Sequence, residues 1–317
     1  VFRFDSTGGK MQATTFTFKA TDGPEIFVYK WSPDAGTKPK AAVQIAHGAA
    51  EHALRYERFA GYLTKAGYVV YANDHRGHGK TAGDLKKAGI AGPDGWNGIM
   101  RDMHQLSDII RQENPGLPLI FFGHSMGSLI AQNYIENWGD ELKGAVLTGT
   151  FGSLGGDPAA IVAMCEQEVQ ANGEDAPSQL FANMFVGFNQ PFRPKTGFEW
   201  LSRDEAEVQK YVDDPWCGFP FSNRLVIDFF NGAAHIWSPE NEARIPKELP
   251  LLIASGELDP AGGNGASVKE LVDRYRANGM TNIQIKFYPQ ARHEILNETN
   301  RDEVQRDIMA WMDRQVG

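Results

Sequence analysis

At 317 residues the chain is long enough for one large α/β domain carrying an insertion, or for two domains. With 42% hydrophobic and 22% charged residues it can bury a sizeable core, and a net charge of −9 without a Lys/Arg cluster argues against nucleic acid as a partner. No apolar run nears the length of a membrane span. Residues 1–10 lack the apolar centre of a signal peptide, so Met11 reads as the natural start and 1–10 as an expression remnant.

In chain order, alternation and turn residues predict strands over Thr15–Ala20 and Glu25–Trp31, an edge hairpin about Thr21-Asp22-Gly23-Pro24. Ala41–Ala46 is an apolar run ending in His47-Gly48-Ala49-Ala50-Glu51-His52. A helix follows with Tyr56, Phe59, Ala60, Leu63 and Ala66 on one face, closed by Gly67. Tyr68–Ala72 reads as a buried strand and leads into Asn73-Asp74-His75-Arg76-Gly77-His78-Gly79. Asn97–Glu113 has helical periodicity, and Leu119–Phe122 and Ala145–Thr148 are strands. From Phe151 to Trp237 no strand–helix alternation is visible. It resumes with strands at Leu249–Ser255 and Ile283–Tyr288 and helices at Ser267–Ala277 and Arg301–Gln315, the last with Asn300 and Glu303 as a capping box. The rhythm implies a mostly parallel sheet covered by helices on both faces: a core over 1–150 and 238–317 with an insertion at 151–237.

The chemistry centres on Gly123-His124-Ser125-Met126-Gly127, a G-x-S-x-G between a buried strand and a helix with Met126, Leu129, Ile130, Asn133 and Tyr134 at 3- and 4-residue spacing. Bulky residues at 123 and 127 would collide with neighbouring strands or the helix. A serine hydroxyl needs a base, and the base needs an orienting group. On such a fold the acid follows the serine and the histidine comes last. Asp259, after the strand that ends the insertion, is the better acid, with Glu257 as its rival. His293 follows the last strand and is the base. The Met126 N–H, opening the helix, and the Ala49 N–H, in a small-residue loop at a strand end, are the oxyanion donors. His104 reads as a helix-surface residue, His75 and His78 as loop residues, and His235 as the end of the insertion. Cys165 and Cys217, 52 positions apart, have no metal-ligand spacing and read as free thiols in a reducing cytoplasm. No metal or cofactor is expected.

These motifs resemble the monoacylglycerol lipase and lysophospholipase group of α/β-hydrolases, within the serine aminopeptidase-type hydrolases. Gly123–Gly127, His47–His52 and Asp74–Gly79 carry the likeness in the first half. Gly256-Glu257-Leu258-Asp259-Pro260, Ala291-Arg292-His293-Glu294 and Glu199-Trp200-Leu201-Ser202-Arg203-Asp204 carry it in the second. The resemblance implies a Ser125–Asp259–His293 triad and a lid formed by the insertion. It also implies a structural role for the 74–79 loop, with Arg76 tying loops together. Ala50 departs from it, since many relatives carry glycine there.

Within the insertion, Phe181–Phe230 holds nine of the chain's 19 phenylalanines. Phe181, Phe185 and Phe188, with His235, are the candidates for substrate contact, through an acyl tunnel or a lid that touches a membrane surface; the same aromatics could equally make the core of a small subdomain. The expected substrate is a small-molecule ester with one fatty-acyl chain, cleaved through an acyl-enzyme at a rate that declines as His293 becomes protonated. A broad carboxylesterase or thioesterase, an aminopeptidase using Glu166, Glu168, Glu174 and Asp175 to hold an amine, and a non-catalytic receptor are the alternatives.

Overall fold

The computed structural model describes residues 11–153 and 156–317, so the reading of 1–10 lies outside the described residues. Eight strands form one sheet: β1 Gln12–Lys19, β2 Glu25–Ser32, β3 Ala41–Ala46, β4 Tyr68–Asn73, β5 Leu119–His124, β6 Gly144–Thr148, β7 Leu251–Gly256 and β8 Ile283–Tyr288. Their spatial order is β1-β2-β4-β3-β5-β6-β7-β8. β1 and β2 form the predicted hairpin, β2 pairs antiparallel with β4, and every other pair is parallel. The helices are α1 Glu57–Lys65, α2 Gly79–Ala82, α3 Gly95–Glu113, α4 Met126–Trp138, α5 Pro158–Asn172, α6 Gln179–Asn189, α7 Glu205–Asp213, α8 Asn223–Ile236, α9 Pro239–Glu242, α10 Ala266–Ala277 and α11 Arg301–Val316.

Strand side chains alternate between two cores, as a sheet covered on both faces requires. Leu119 and Phe121 of β5, Leu147 of β6 and Ile253 of β7 pack with α3, α4, α8 and α10 on one side. Ile120 and Phe122, Val146 and Leu252 pack with α1 and α11 on the other. The polar exception in β3, Gln44, is fully satisfied. Its amide donates to Met103 O at 2.8 Å and its carbonyl accepts from Ser107 Oγ at 2.6 Å.

One local reading needs correction. Asn300 does not cap α11 with its side chain. Its Oδ1 instead accepts from Arg203 at 3.0 Å, and its Nδ2 donates to Glu303 at 2.9 Å, so the box closes side chain to side chain. The stretch without strand–helix alternation, between β6 and β7, holds helices and no strand among the described residues. Each of α5 to α8 opens on a side chain that accepts from the first turn: Asp157, Ser178, Asp204 and Ser222. Those caps were the available signal.

Candidate active site

The serine corner is built by steric exclusion. A Cβ on Gly123 would stand 2.2 Å from Gly127 O, and one on Gly127 would stand 2.0 Å from Ala46 O. Only hydrogens fit where β5, β3 and α4 meet. Ser125 itself sits at φ 54°, ψ −122°, a strained conformation that the strand and helix on either side impose. Its N–H donates to Thr148 O at 2.9 Å. Among the described residues the N–H groups of Met126 and Ala49 donate to nothing. That leaves two backbone donors free at the ends of β5 and β3.

His293 and Asp259 meet after β8 and β7. Nδ1 of His293 lies 2.9 Å from both Asp259 oxygens, and both side chains are buried. Burial lowers the His293 pKa, but the Asp259 carboxylate outweighs it and leaves it above the ordinary histidine value. The rival Glu257 is exposed. Ser125 and His293 line one cavity. A Cβ on Gly149 would come within 2.9 Å of the His293 ring and 2.8 Å of the His124 ring, so this glycine lets both imidazoles approach β6. His124, buried and beside His293, has its pKa lowered to about 4 and bonds Thr148 Oγ1 at 3.0 Å.

The loop from His47 to His52 is held from two sides. Glu51 Oε1 accepts from Gly48 N–H at 2.5 Å and from Tyr56 OH at 2.7 Å, and its other oxygen pairs with Arg55. Arg55 also forks onto Glu294 at 2.6 and 2.8 Å, bridging the loop to the residue next to His293. Burial alone would raise Glu294; Arg55 overrides it and holds its carboxyl at about 2. On the other side stand His47, His75 and His78. His47 Nδ1 donates to Gly48 O at 2.8 Å while its Nε2 accepts from His75 N–H at 3.0 Å. His78 Nε2 accepts from Ala50 N–H at 3.3 Å. Arg76 does tie loops together, forking onto Asp102 and onto Asp22. Ala50 stands at φ 52°, in the left-handed region that favours glycine.

Two chambers meet at Ser125. One is an apolar cavity of about 270 Å³ lined by Ala49, Ser125, Met126, Phe181, Met184, Phe185, Phe188, Trp200 and Phe229. The other is a narrow crevice of about 20 Å³, where Glu51, His124, Tyr211, His293 and Glu294 stand with Phe185, Trp200 and Leu201 beside Ala49 and Ser125. Of the predicted contact residues, Phe181, Phe185 and Phe188 line the apolar chamber. His235 does not: α8 buries Ala233 and Ile236 and turns His235 outward to solvent. Glu168 is engaged by Ser178 and Leu180, and Glu166, Glu174 and Asp175 are exposed, so the candidate amine-holding acids do not form a cluster at the cavity.

Sequence reasoning missed the residues that fasten the histidine loop. His293 N–H donates to Trp200 O at 3.3 Å and Glu294 N–H to Leu201 O at 2.7 Å. Arg292 donates to Glu199 O at 2.6 Å and Ser202 O at 3.0 Å, and the Trp200 ring lies 4.7 Å from the His293 ring. The stretch Glu199–Asp204 is therefore the clamp on the loop that carries His293. It also missed Cys217, which lies with His52 and Asp214, their ligand-type atoms within 4.8 Å of one another.

Comparison with known proteins identifies the family of the chain. Residues 37–300 match the family described as serine aminopeptidase, S33. The chain is similar to the monoacylglycerol lipase of Mycolicibacterium smegmatis, 29% identical over 93% of this chain and 95% of the relative. It is likewise similar to the human monoglyceride lipase, 27% identical over 93% of this chain and 89% of that one. Among solved structures it superimposes on a thermostable carboxyl esterase from Bacillus coagulans in complex with glycerol, with a TM-score of 0.88, 29% identity, and coverage of 97% of this chain and all of the other. Matched by the family model over residues 37–300 and built on an eight-stranded, mostly parallel sheet, the chain belongs to the serine aminopeptidase S33 family of α/β-hydrolases.

Proposed function

We propose that the chain is a serine ester hydrolase that cleaves monoacylglycerols, with Ser125, Asp259 and His293 as its triad. The observation that carries this reading is the position of Ser125 on the wall of an apolar cavity of about 270 Å³, with a narrow crevice toward His293 and Glu294 on its other side. A fatty-acyl chain suits the cavity, which puts the scissile carbonyl at the serine. Ser125 Oγ attacks that carbonyl while His293 Nε2 takes its proton, and Asp259 holds the imidazole with its proton on Nδ1. The N–H groups of Met126 and Ala49 receive the oxyanion; removing one such donor typically costs about 3 kcal/mol of transition-state stabilisation. His293 then protonates the departing glycerol, and water repeats the sequence to free the fatty acid.

The insertion at 151–237 supplies the roof of the apolar chamber, and we assign it the role of a lid. Val186 on α6 is 63% exposed and Met164 on α5 is 52% exposed, which suits brief contact with a lipid surface. Labelling with a fluorophosphonate probe and hydrolysis of a p-nitrophenyl ester series test the assignment. Ser125→Ala should abolish labelling and lower kcat at least about 10³-fold, and wild-type activity should hold or rise beyond a four-carbon acyl group. Full turnover in the alanine variant removes the triad. Activity that falls steadily beyond four carbons removes the lipid substrate, and faster cleavage of an aminoacyl-anilide than of a monoacylglycerol points to a peptidase.

A further inference from the structure

We infer that His52, Asp214 and Cys217 form a binding site for one thiophilic divalent cation of the zinc class, joining the inserted segment to the oxyanion loop. His52 Nε2 and Asp214 Oδ2 are already 2.9 Å apart although the residues are 162 positions apart in the chain. The Cys217 thiol completes a group in which all three atoms lie within 4.8 Å of one another. A tetrahedral ion bonded at about 2.0–2.3 Å sets its ligands about 3.3–3.8 Å apart, so a shift of order 1 Å closes the group around it. An imidazole, a carboxylate and a thiol are a donor set that zinc accepts and that magnesium or calcium does not.

The two ligands from the insertion are oriented independently of any ion. Trp216 N–H donates to Asp214 Oδ1 at 2.9 Å, which leaves Oδ2 for the cluster. Cys217 N–H donates to Asp214 O at 3.0 Å and fixes the turn that brings residues 214 and 217 to one side. Such supporting bonds hold metal ligands in place. On binding, the Cys217 S–H bond breaks and its proton leaves to solvent as the Sγ–metal bond forms. His52, whose Nε2–H faces Asp214 Oδ2, shifts its ring proton to Nδ1 through solvent and gives the freed Nε2 lone pair to the ion. No electron is transferred, and the fourth position stays open to water. The contact that such an ion would lock lies beside the oxyanion loop, where Gly218 N–H and Tyr211 OH both donate to Ala50 O at 2.9 Å.

The test uses the full chain, stripped with chelator, with Zn²⁺ titrated by calorimetry and Co²⁺ by absorbance. Neither readout depends on ester hydrolysis. The expected result is one equivalent of Zn²⁺, a near-ultraviolet thiolate-to-cobalt absorption, and a Tm raised by roughly 5 °C at hundredfold excess over Kd. Cys217→Ser should remove the cobalt band, Asp214→Asn should weaken Zn²⁺ at least about tenfold, and Cys165→Ser should change neither. Absence of the cobalt band in the wild type overturns the site. So does a band lost in Cys165→Ser, or Zn²⁺ affinity unchanged in Cys217→Ser.

Discussion

His293 is buried, and burial alone would keep it neutral far into the acid range; the Asp259 carboxylate at 2.9 Å raises it instead. The imidazole must be neutral to accept the Ser125 proton, so kcat/KM should fall as pH drops through a value above about 6.5. Asp259→Asn removes the charge that raises it. Its pH–rate profile should keep activity to lower pH while kcat falls roughly 10⁴-fold. A profile that does not move would dissociate Asp259 from the base. Ala50 makes a second residue-scale argument. A left-handed alanine costs about 1–2 kcal/mol relative to glycine, partly offset by the freedom glycine has in the unfolded chain. Ala50→Gly should therefore leave stability unchanged or raise it by up to about 1 kcal/mol in denaturant titration. A larger loss would mean that the buried methyl packs better than its backbone suggests.

Elements of the insertion differ in how they are fastened. The stretch before α7 and α7 itself are tied to the core: Arg203 to Glu298, Asp204 to Arg301 and Glu207 to Arg58, with Ser202 Oγ on Asn297 O. Those bonds hold the loop that presents His293, so movement there would disturb the base. By contrast, among the described residues α5 and α6 make no ion pair to the core, and they hold by apolar contacts such as those of Cys165 and Phe181. If the insertion opens for substrate, opening belongs to residues 158–189. Native-state hydrogen exchange should be faster in α5 and α6 than in α7. Equal protection of all three would make the insertion a fixed roof. Gly89 stitches the α8 end of the same segment: Ser222 N–H donates to its carbonyl at 2.9 Å, and a Cβ there would stand 2.3 Å from Pro220 O.

For the molecule as a whole, the buried histidines set the acid limit of stability. Burial lowers His75 to about 3 and His78 and His124 to about 4, and puts His47 well below the ordinary value. In the unfolded chain each titrates near 6.5. Between those values the unfolded chain binds more protons, so stability falls as pH falls. Glu136, raised by burial to about 8, works in the opposite direction over the same range. His293, raised by Asp259, also opposes them, but the four lowered histidines outnumber both, so stability is predicted to fall as pH falls below 6.5. Guanidinium unfolding at pH 7.5, 6.5 and 5.5 measures it, and equal midpoints would mean the histidines are charged in the fold.

Strand and helix periodicity determined the sheet, its hairpin edge and the two cores, because a strand covered on both faces can only be a continuous apolar run. Local sequence also singled out Ser125, Asp259 and His293, since their order along the chain follows from the order of strands whose carboxyl ends they occupy. Of the helices between β6 and β7, α6 buries only Phe181 and Asn189, whereas α8 carries an apolar stripe, Leu225, Phe229, Ala233 and Ile236, that the reading passed over. Only tertiary structure decided what the other polar residues do. Arg55 joins Glu51 to Glu294 across 239 positions of chain, Trp200 meets His293, and His52 meets Asp214 and Cys217. Contacts of that kind depend on how distant loops converge above one sheet edge, and no periodicity along the chain encodes them.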